Sequence, residues 1–322
     1  FLVYDPENPS WEGRDRFFLD PGHMSPMLYS ALALQGKFTI DELQQFRQWG
    51  SPTPGHPERD VQRGIENTSG PLGQGHAYGA GAAVAQKFLE TKLSHTMMQH
   101  TIYIYISDGG IQEEISQGVG RLAGALGLDN IVMFYDSNDI QLSTECGVVT
   151  CENTAAKYES WGWKVITIDG NDADEIRRAL NEAKAEKEKP TLIIGNTVMG
   201  KGALRADGSS FEHHIGTHGA PLGAEAYQKT IVNLGGNPNE PFVVYPEVKK
   251  LYAKRNEELR EIVAKRHQEE NEWAKNNPQL AAQMKEWFSG NAPKVDWSTL
   301  TQKPDAATRV ASAACLGLLA EQ

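Results

Sequence analysis

The chain has 322 residues, with 31 lysines and arginines against 42 aspartates and glutamates, so its formal net charge is −11. This acidity argues against a nucleic-acid surface, which needs a basic patch, and no run approaches the ~18 apolar residues of a membrane span. The three cysteines, Cys146, Cys151 and Cys315, lack zinc-site spacing and are too few for a disulfide framework. We therefore expect about two domains in a cytoplasmic protein.

In chain order, strand and helix patterns alternate through the middle of the sequence. An alanine- and glycine-rich helix is predicted near residues 75–89, followed by a strand over 101–107 in which every second residue is isoleucine. A helix over 111–126 and a second buried strand over 130–135 follow. The remaining elements, helix, strand, helix and strand, are predicted over 154–161, 164–168, 173–186 and 191–196. This alternation predicts an α/β fold with a parallel sheet flanked by helices.

Beyond residue 235 the composition changes. A turn-rich stretch leads into residues 245–288, which are charged and helical in pattern. A second turn-rich stretch precedes a final helix that contains the sequence ATRVAS. We therefore predict a helical linker between the α/β domain and the start of another domain.

Polar residues and glycines follow the first two strands of the central region. Asp108, Gly109 and Gly110 end the first, and Asn138 follows the second. Ligands of such sheets bind outside the carboxyl ends of the strands, where carboxylate and amide oxygens suit Mg²⁺ or Ca²⁺ and glycine N–H groups can approach a phosphate. Taken singly, Asp108 fits a helix cap and Asn138 an Asx turn, so the residues alone leave both interpretations open.

Longer motifs decide between these interpretations. The segments over 14–36, 51–58, 66–75 and 213–223 contain RDRFFLDPGH, SPTPGHPE, ENTSGPLGQG and HHIGTHGAPLG. Together with FYDSNDI they make the chain resemble the thiamine-diphosphate-dependent transketolase family along nearly its whole length. The resemblance implies a thiamine-diphosphate-binding fold, with a diphosphate-binding domain over 1–235 that lacks its first helices. A linker with helices over 236–305 and the truncated start of the pyrimidine-binding domain over 306–322 would follow.

The resemblance also implies a metal and cofactor site. Asp108, Asn138 and the backbone carbonyl of Ile140 would ligate a divalent cation, usually Mg²⁺ or Ca²⁺. Gly109 would donate its N–H to the diphosphate of thiamine diphosphate. The other implied cofactor contacts are His23, Gly70, Leu72 and His218.

The activity implied is transfer of a two-carbon ketol unit from a ketose phosphate to an aldose phosphate, a step of the pentose phosphate pathway. His56, His218 and His23 would be catalytic, with His56 contacting the donor sugar. Arg309, in ATRVAS, would bind the substrate phosphate. Glu113 would lie at the interface of a homodimer.

The sequence departs from the family pattern at several positions. Ser107 and Glu114 stand where the family usually has glycine, Gly110 stands where cysteine is frequent, and Asn171 stands where histidine is usual. The glutamate that activates the cofactor belongs to the pyrimidine-binding domain, which we expect to be supplied in cis or in trans. This chain alone is therefore expected to be inactive.

Three alternatives remain open from the sequence. The first concerns the origin of the chain, which could be a fragment, the observed part of a longer polypeptide, or a non-catalytic cofactor-binding subunit of a split enzyme. Related ketol transferases such as dihydroxyacetone synthase and deoxyxylulose phosphate synthase are rivals within the class. A silent module that only retains the fold is the third alternative, although both Asp108 and Asn138 are present.

Overall fold

The computed structural model describes residues 1–93, 98–292 and 294–321. They form two compact units, residues 1–268 and 269–322. The first unit contains a five-stranded sheet in the order β1-β2-β3-β5-β4, and every neighbouring pair is parallel. The strands are β1 (Arg16–Leu19), β2 (Ile102–Ser107), β3 (Ile131–Ser137), β4 (Lys164–Asp169) and β5 (Thr191–Asn196).

Helices on both sides of the chain segment that forms β4 complete the described structure. Those that precede β4 are α1 (Ser25–Leu34), α2 (Ile40–Gln44), α3 (Gln74–Lys92), α4 (Asp108–Gln112), α5 (Glu114–Ala125), α6 (Cys146–Val149) and α7 (Thr154–Ser160). Later in the chain come α8 (Ala173–Ala185), α9 (Ala224–Asn233), α10 (Pro246–Asn276), α11 (Pro278–Trp287) and α12 (Thr308–Ala320). None of the helices formed by the described residues is both long and apolar enough to cross a membrane.

The predicted parallel α/β sheet is confirmed, with three corrections. The sheet has an additional edge strand, β1, which the patterns did not predict. The helix predicted over 111–126 is two helices, because Glu113 adopts an extended conformation (ψ 135°) between α4 and α5. The helical stretch over 245–288 is also divided, since Pro278 starts a new helix after the non-helical Asn277.

The alternation of side chains along the strands produces two core layers. Ile102, Ile104 and Ile106 are fully buried on one face of β2, in a cluster that also contains residues of α3 and α5. Tyr103 points to the other face and packs in a second cluster with residues of α8. Because helices cover both faces of the sheet, we expect a ligand to bind at the carboxyl ends of the strands.

His76 of α3 is completely buried in the first layer. Its Nδ1 lies 2.8 Å from Oγ of Ser116, and its ring packs edge-on against Trp163. Burial lowers the pKa of His76 to about 3 from the ordinary value of 6.5. As the pH falls, His76 binds a proton in the unfolded chain before it does so in the folded chain. The contribution of neutral His76 to the free energy of unfolding is therefore complete above pH 6.5 and is lost as the pH falls toward 3.

We expect H76Q to flatten the pH dependence of stability. Between pH 6 and 4, His76 makes the free energy of unfolding fall by about 1.4 kcal/mol per pH unit. H76Q removes this contribution from the slope, whatever its effect on stability at pH 7. Urea denaturation of both proteins between pH 6 and 4 gives the free energy of unfolding as a function of pH. Identical slopes for the two proteins would contradict the lowered pKa of His76.

Candidate functional site

The oxygen-rich centre of the site lies where β2 and β3 end. Asp108 opens α4 directly after β2 and is only 2% exposed. Its Oδ2 accepts the backbone N–H of Asn138 at 3.0 Å, which joins the two strand ends. Oδ1 of Asn138 accepts the N–H of Ile140 at 3.0 Å, so the predicted Asx turn is present. Asp108, Asn138 and Ile140, the residues implied as metal ligands, therefore lie side by side at the adjoining ends of β2 and β3.

The surroundings of Asp108 leave its negative charge without a cationic side chain at bonding distance among the described residues. Oδ1 accepts the hydroxyl of Tyr135 at 2.5 Å, and the Cys146 thiol also hydrogen bonds to the carboxylate. Burial raises the pKa of Asp108, and the bonds from Tyr135 and Asn138 oppose this shift only in part. A bound divalent cation would supply the missing positive charge.

The donor set fits a hard cation. One carboxylate, one amide oxygen and one backbone carbonyl are the ligand types that Mg²⁺ and Ca²⁺ take in proteins. Three hydrogen bonds reach the two oxygens of Asp108 and one reaches Oδ1 of Asn138, so each side chain keeps at least one lone pair. Within the described part of the chain, no group of three His, Cys, Asp or Glu side chains is arranged as a metal site. The predicted set contains only one residue of those types.

The glycines beside Asp108 bring two loops into contact. A Cβ on Gly109 would stand 2.8 Å from Cδ1 of Leu72, so the turn that carries Gly109 packs directly on the loop over residues 70–73. Gly70 in that loop has φ 150°, and a Cβ there would stand 3.9 Å from Cγ of the His56 ring. The two segments implied for the diphosphate and pyrimidine sides are thus neighbours.

The structure brings the three predicted histidines together. The rings of His23 and His218 lie 5.3 Å apart between centroids, and a Cβ on Gly22 would stand 2.7 Å from the His56 ring. Burial, together with the charges of His218, His56 and Arg47, lowers the pKa of His23. Burial also lowers the pKa of His218, which the negative charge of Asp108 opposes. Nδ1 of His218 is buried with no hydrogen-bond partner among the described residues.

The loop that carries His56 is fixed to α1 and α2. Oγ of Ser25 donates to the carbonyl of Gly55 at 2.7 Å, and the Tyr29 hydroxyl donates to that of Pro54 at 3.0 Å. The Thr53 hydroxyl, which is fully buried, donates to the carbonyl of Glu42. Because its neighbours are anchored, exposed His56 projects from a rigid support.

The remaining predicted site residues are Glu113 and Arg309. Glu113 is exposed, and a Cβ on Gly73 would stand 2.9 Å from the Cβ of Glu113, which places this residue beside the start of α3. Arg309 belongs to the second unit, where it is exposed in the first turn of α12. The roles of both residues stay predictions.

Two residues near the site were missed from the sequence. Asp20, at the carboxyl end of β1, is fully buried and accepts the N–H groups of Gly73 and His76. Arg47 lies beside the loop that carries His56, where a Cβ on Gly55 would stand 2.8 Å from Nε of its guanidinium group. The segment FFLDPGH offered a signal for Asp20, since an acidic residue follows a short apolar run there as Asp108 follows a longer one. Arg47 carried no local signal.

A buried carboxylate, glycine-lined loops and clustered histidines at the carboxyl ends of a parallel sheet define an α/β cofactor-binding domain. Comparison with known proteins specifies it further. The model of the family "Transketolase, thiamine diphosphate binding domain" matches residues 1–293. The chain is 40% identical over 302 residues to the transketolase of Geobacillus stearothermophilus, covering 91% of this chain and 44% of that protein. It is 39% identical to transketolase 2 of Escherichia coli, covering 94% and 45%.

Solved structures agree with these relatives. Transketolase from Leishmania mexicana superposes with a TM-score of 0.90 at 33% identity, over 99% of this chain and 48% of the other. A Pichia stipitis transketolase in complex with sedoheptulose-7-phosphate gives 0.88 at 33% identity, over 99% and 48%. The chain belongs to the transketolase family and contains its thiamine diphosphate-binding domain. It spans about 44% of the length of the curated relatives.

Proposed function

We propose that this chain binds thiamine diphosphate with a divalent cation and forms the cofactor-binding part of a transketolase. The intact enzyme would transfer a two-carbon ketol unit from a ketose phosphate to an aldose phosphate. The observation that carries this proposal is the contact of Asp108 with Asn138 beside the glycine turn and the histidines. Sedoheptulose-7-phosphate in a related structure supports sugar phosphates as the substrate class.

Each part of the proposed site has a task that its chemistry suits. Asp108, Asn138 and the carbonyl of Ile140 would hold Mg²⁺ or Ca²⁺, which neutralises diphosphate oxygens near an acidic protein. Gly109 would donate its N–H to the diphosphate, and Gly70 and Leu72 would contact the pyrimidine side. When bound, thiamine diphosphate supplies a nucleophilic carbon and an electron sink for C–C bond cleavage.

The histidines would orient the substrate and move its protons. Because their pKa values are lowered, His23 and His218 are neutral near pH 7 and each can accept a proton from a sugar hydroxyl. His56 would contact the donor sugar from the loop that is hydrogen-bonded to α1 and α2. Arg309 would bind the substrate phosphate.

We also propose the domain division predicted above, with 1–235, 236–305 and 306–322 as its parts. The family model covers the first part and most of the second, since it matches residues 1–293. The pyrimidine-binding domain would complete the site. A cytoplasmic location is supported by the three cysteines, all of which are free thiols.

A homodimer is the proposed assembly, supported by an apolar surface on two adjacent helices. We name this surface the α3–α5 face. Its exposed members include Tyr78, Val84 and Phe88 of α3 and Ile115 and Leu122 of α5. The two helices contact each other, and an exposed apolar surface on a globular unit typically marks an interaction site. Glu113, the implied interface residue, directly precedes α5.

We expect L122D to weaken self-association of the chain by about tenfold or more, because it buries a charge in the proposed interface. Leu251 on α10 is also exposed, so L251D provides a matched control outside the α3–α5 face. Sedimentation velocity over a concentration series measures both. A monomer at all concentrations of the unaltered chain, or equal effects of the two variants, would contradict the proposed interface.

Ketol transfer tests the proposed function directly. The chain is incubated with thiamine diphosphate, Mg²⁺, sedoheptulose-7-phosphate and an aldose phosphate, with and without a separately produced pyrimidine-binding domain. Release of the shortened aldose phosphate only when that domain is present is the expected result. Cofactor binding without transfer under either condition would favour the silent module.

A further inference from the structure

Asp20 is a buried acidic residue at the carboxyl end of β1 that lies between two loops of the candidate site. It is 0% exposed, and no lysine or arginine pairs with it among the described residues. Its backbone N–H donates to the carbonyl of Tyr105, which fixes it to the end of β2. A buried carboxylate is costly unless hydrogen bonds satisfy it, so its contacts indicate what it supports.

The first contact is with the start of α3. This helix begins after Gly73, which has no side chain to cap it, and both oxygens of Asp20 take over the task. Oδ1 accepts the N–H of Gly73 at 3.1 Å, and Oδ2 accepts that of His76 at 3.3 Å. Asp20 thereby holds the end of the loop that carries Gly70 and Leu72.

The second contact is with the turn after β2. A Cβ on Gly110 would stand 2.2 Å from Oδ1 of Asp20, so the carboxylate packs directly on the backbone of this residue. In the first turn of α3, a Cβ on Gly75 would stand 2.4 Å from the Cα of Asp20. Both glycines are therefore required by the position of Asp20 rather than by their own backbone angles.

We propose that Asp20 is a positioning residue that keeps the loop over 70–73 and the turn over 108–110 in register, so that both can contact one bound thiamine diphosphate. This proposal rests on the proposed function. Displacement of either segment by a fraction of an ångström would misplace Gly109 or Leu72 relative to the other. A helix cap with no such role would stabilise α3 and nothing else.

Asp15 provides a matched control at the opposite end of the same strand. It is 6% exposed, and its oxygens accept the N–H groups of Val3 at 2.8 Å and Thr101 at 2.7 Å. D15N and D20N each replace one acceptor oxygen of a buried carboxylate by an amide. Urea denaturation measures the stability defect of each variant, and only D20N lies at the candidate site.

The test combines calorimetric binding of thiamine diphosphate in Mg²⁺ with hydrogen–deuterium exchange of the chain without cofactor. We expect D20N to raise Kd about tenfold and to accelerate exchange over both 70–76 and 109–112, while D15N leaves both readouts unchanged. Equal Kd values for the two variants, or faster exchange only over 70–76, would overturn the proposal.

Two further outcomes are separated by the same design. If the unaltered chain does not bind thiamine diphosphate, the proposed function fails, and the exchange of segments 70–76 and 109–112 still decides the role of Asp20. If D20N does not fold, D20S replaces it, because its hydroxyl can accept one of the two N–H bonds. D20S is judged against D15N by the same two measurements and the same two outcomes.

Discussion

D108A should reduce the affinity for thiamine diphosphate in Mg²⁺ by about 100-fold, or roughly 2.7 kcal/mol. The substitution removes the only charged ligand of the proposed cation and the acceptor for Asn138. The substitution also leaves the Tyr135 hydroxyl and the Asn138 N–H without their acceptor, so some stability of the fold is lost as well. Titration calorimetry measures the loss of affinity, and urea denaturation of the same variant measures the loss of stability.

Asp136 offers the control for D108A. It is also a buried carboxylate, on β3, and it accepts hydroxyl bonds from Tyr105 and Thr197. D136N should leave the Mg²⁺ dependence of cofactor binding intact, since none of the proposed ligands contacts it through a hydrogen bond in the described structure. Unchanged affinity in D108A would show that the metal assignment is wrong.

G124A should be the most destabilising single-methyl substitution among the glycines of α5. A Cβ at this position would stand 1.9 Å from the carbonyl oxygen of Trp161 and 2.8 Å from its carbonyl carbon. These are backbone atoms of the connection into β4, so they cannot rotate away as a flexible side chain would. We expect a loss of roughly 3 kcal/mol in the free energy of unfolding, measured by urea denaturation.

Gly118 is the matched control for G124A on the same helix. A Cβ there meets only the end of the Arg121 side chain, at 3.9 Å. Since alanine is the better helix former, G118A should stabilise the chain by about 0.5–1 kcal/mol. Both variants are compared at one protein concentration. A similar effect of the two substitutions would mean that α5 does not pack against residue 161 as described.

Much of the fold could be predicted because its signals are local. The isoleucines of β2 recur at every second residue, and β5, buried except at Asn196, contains the apolar run over 192–194. Edge strand β1 could not be predicted in this way, since it has only four residues and only its last two are buried. The break at Glu113 was equally hidden, because the residues on both sides have helical spacing.

The site shows the same division between local and tertiary information. Asp108 and Asn138 could be located because each lies within three residues of the end of a predicted strand, and parallel neighbours end at one edge. Asp20 could not be assigned a task, since its partners Gly73 and Gly110 are 53 and 90 residues away in sequence. A carboxylate that caps a distant helix leaves no spacing rule in the sequence.

Calorimetric titration of the chain with thiamine diphosphate, with Mg²⁺ and with a chelator in its place, tests the central claim most directly. The proposed site contains only one carboxylate ligand and glycine N–H groups for a diphosphate, so the cation is needed to offset the negative charges. We predict binding at one site per chain in Mg²⁺ and its loss in the chelator. Binding of equal affinity under both conditions, or none in Mg²⁺, would contradict the account.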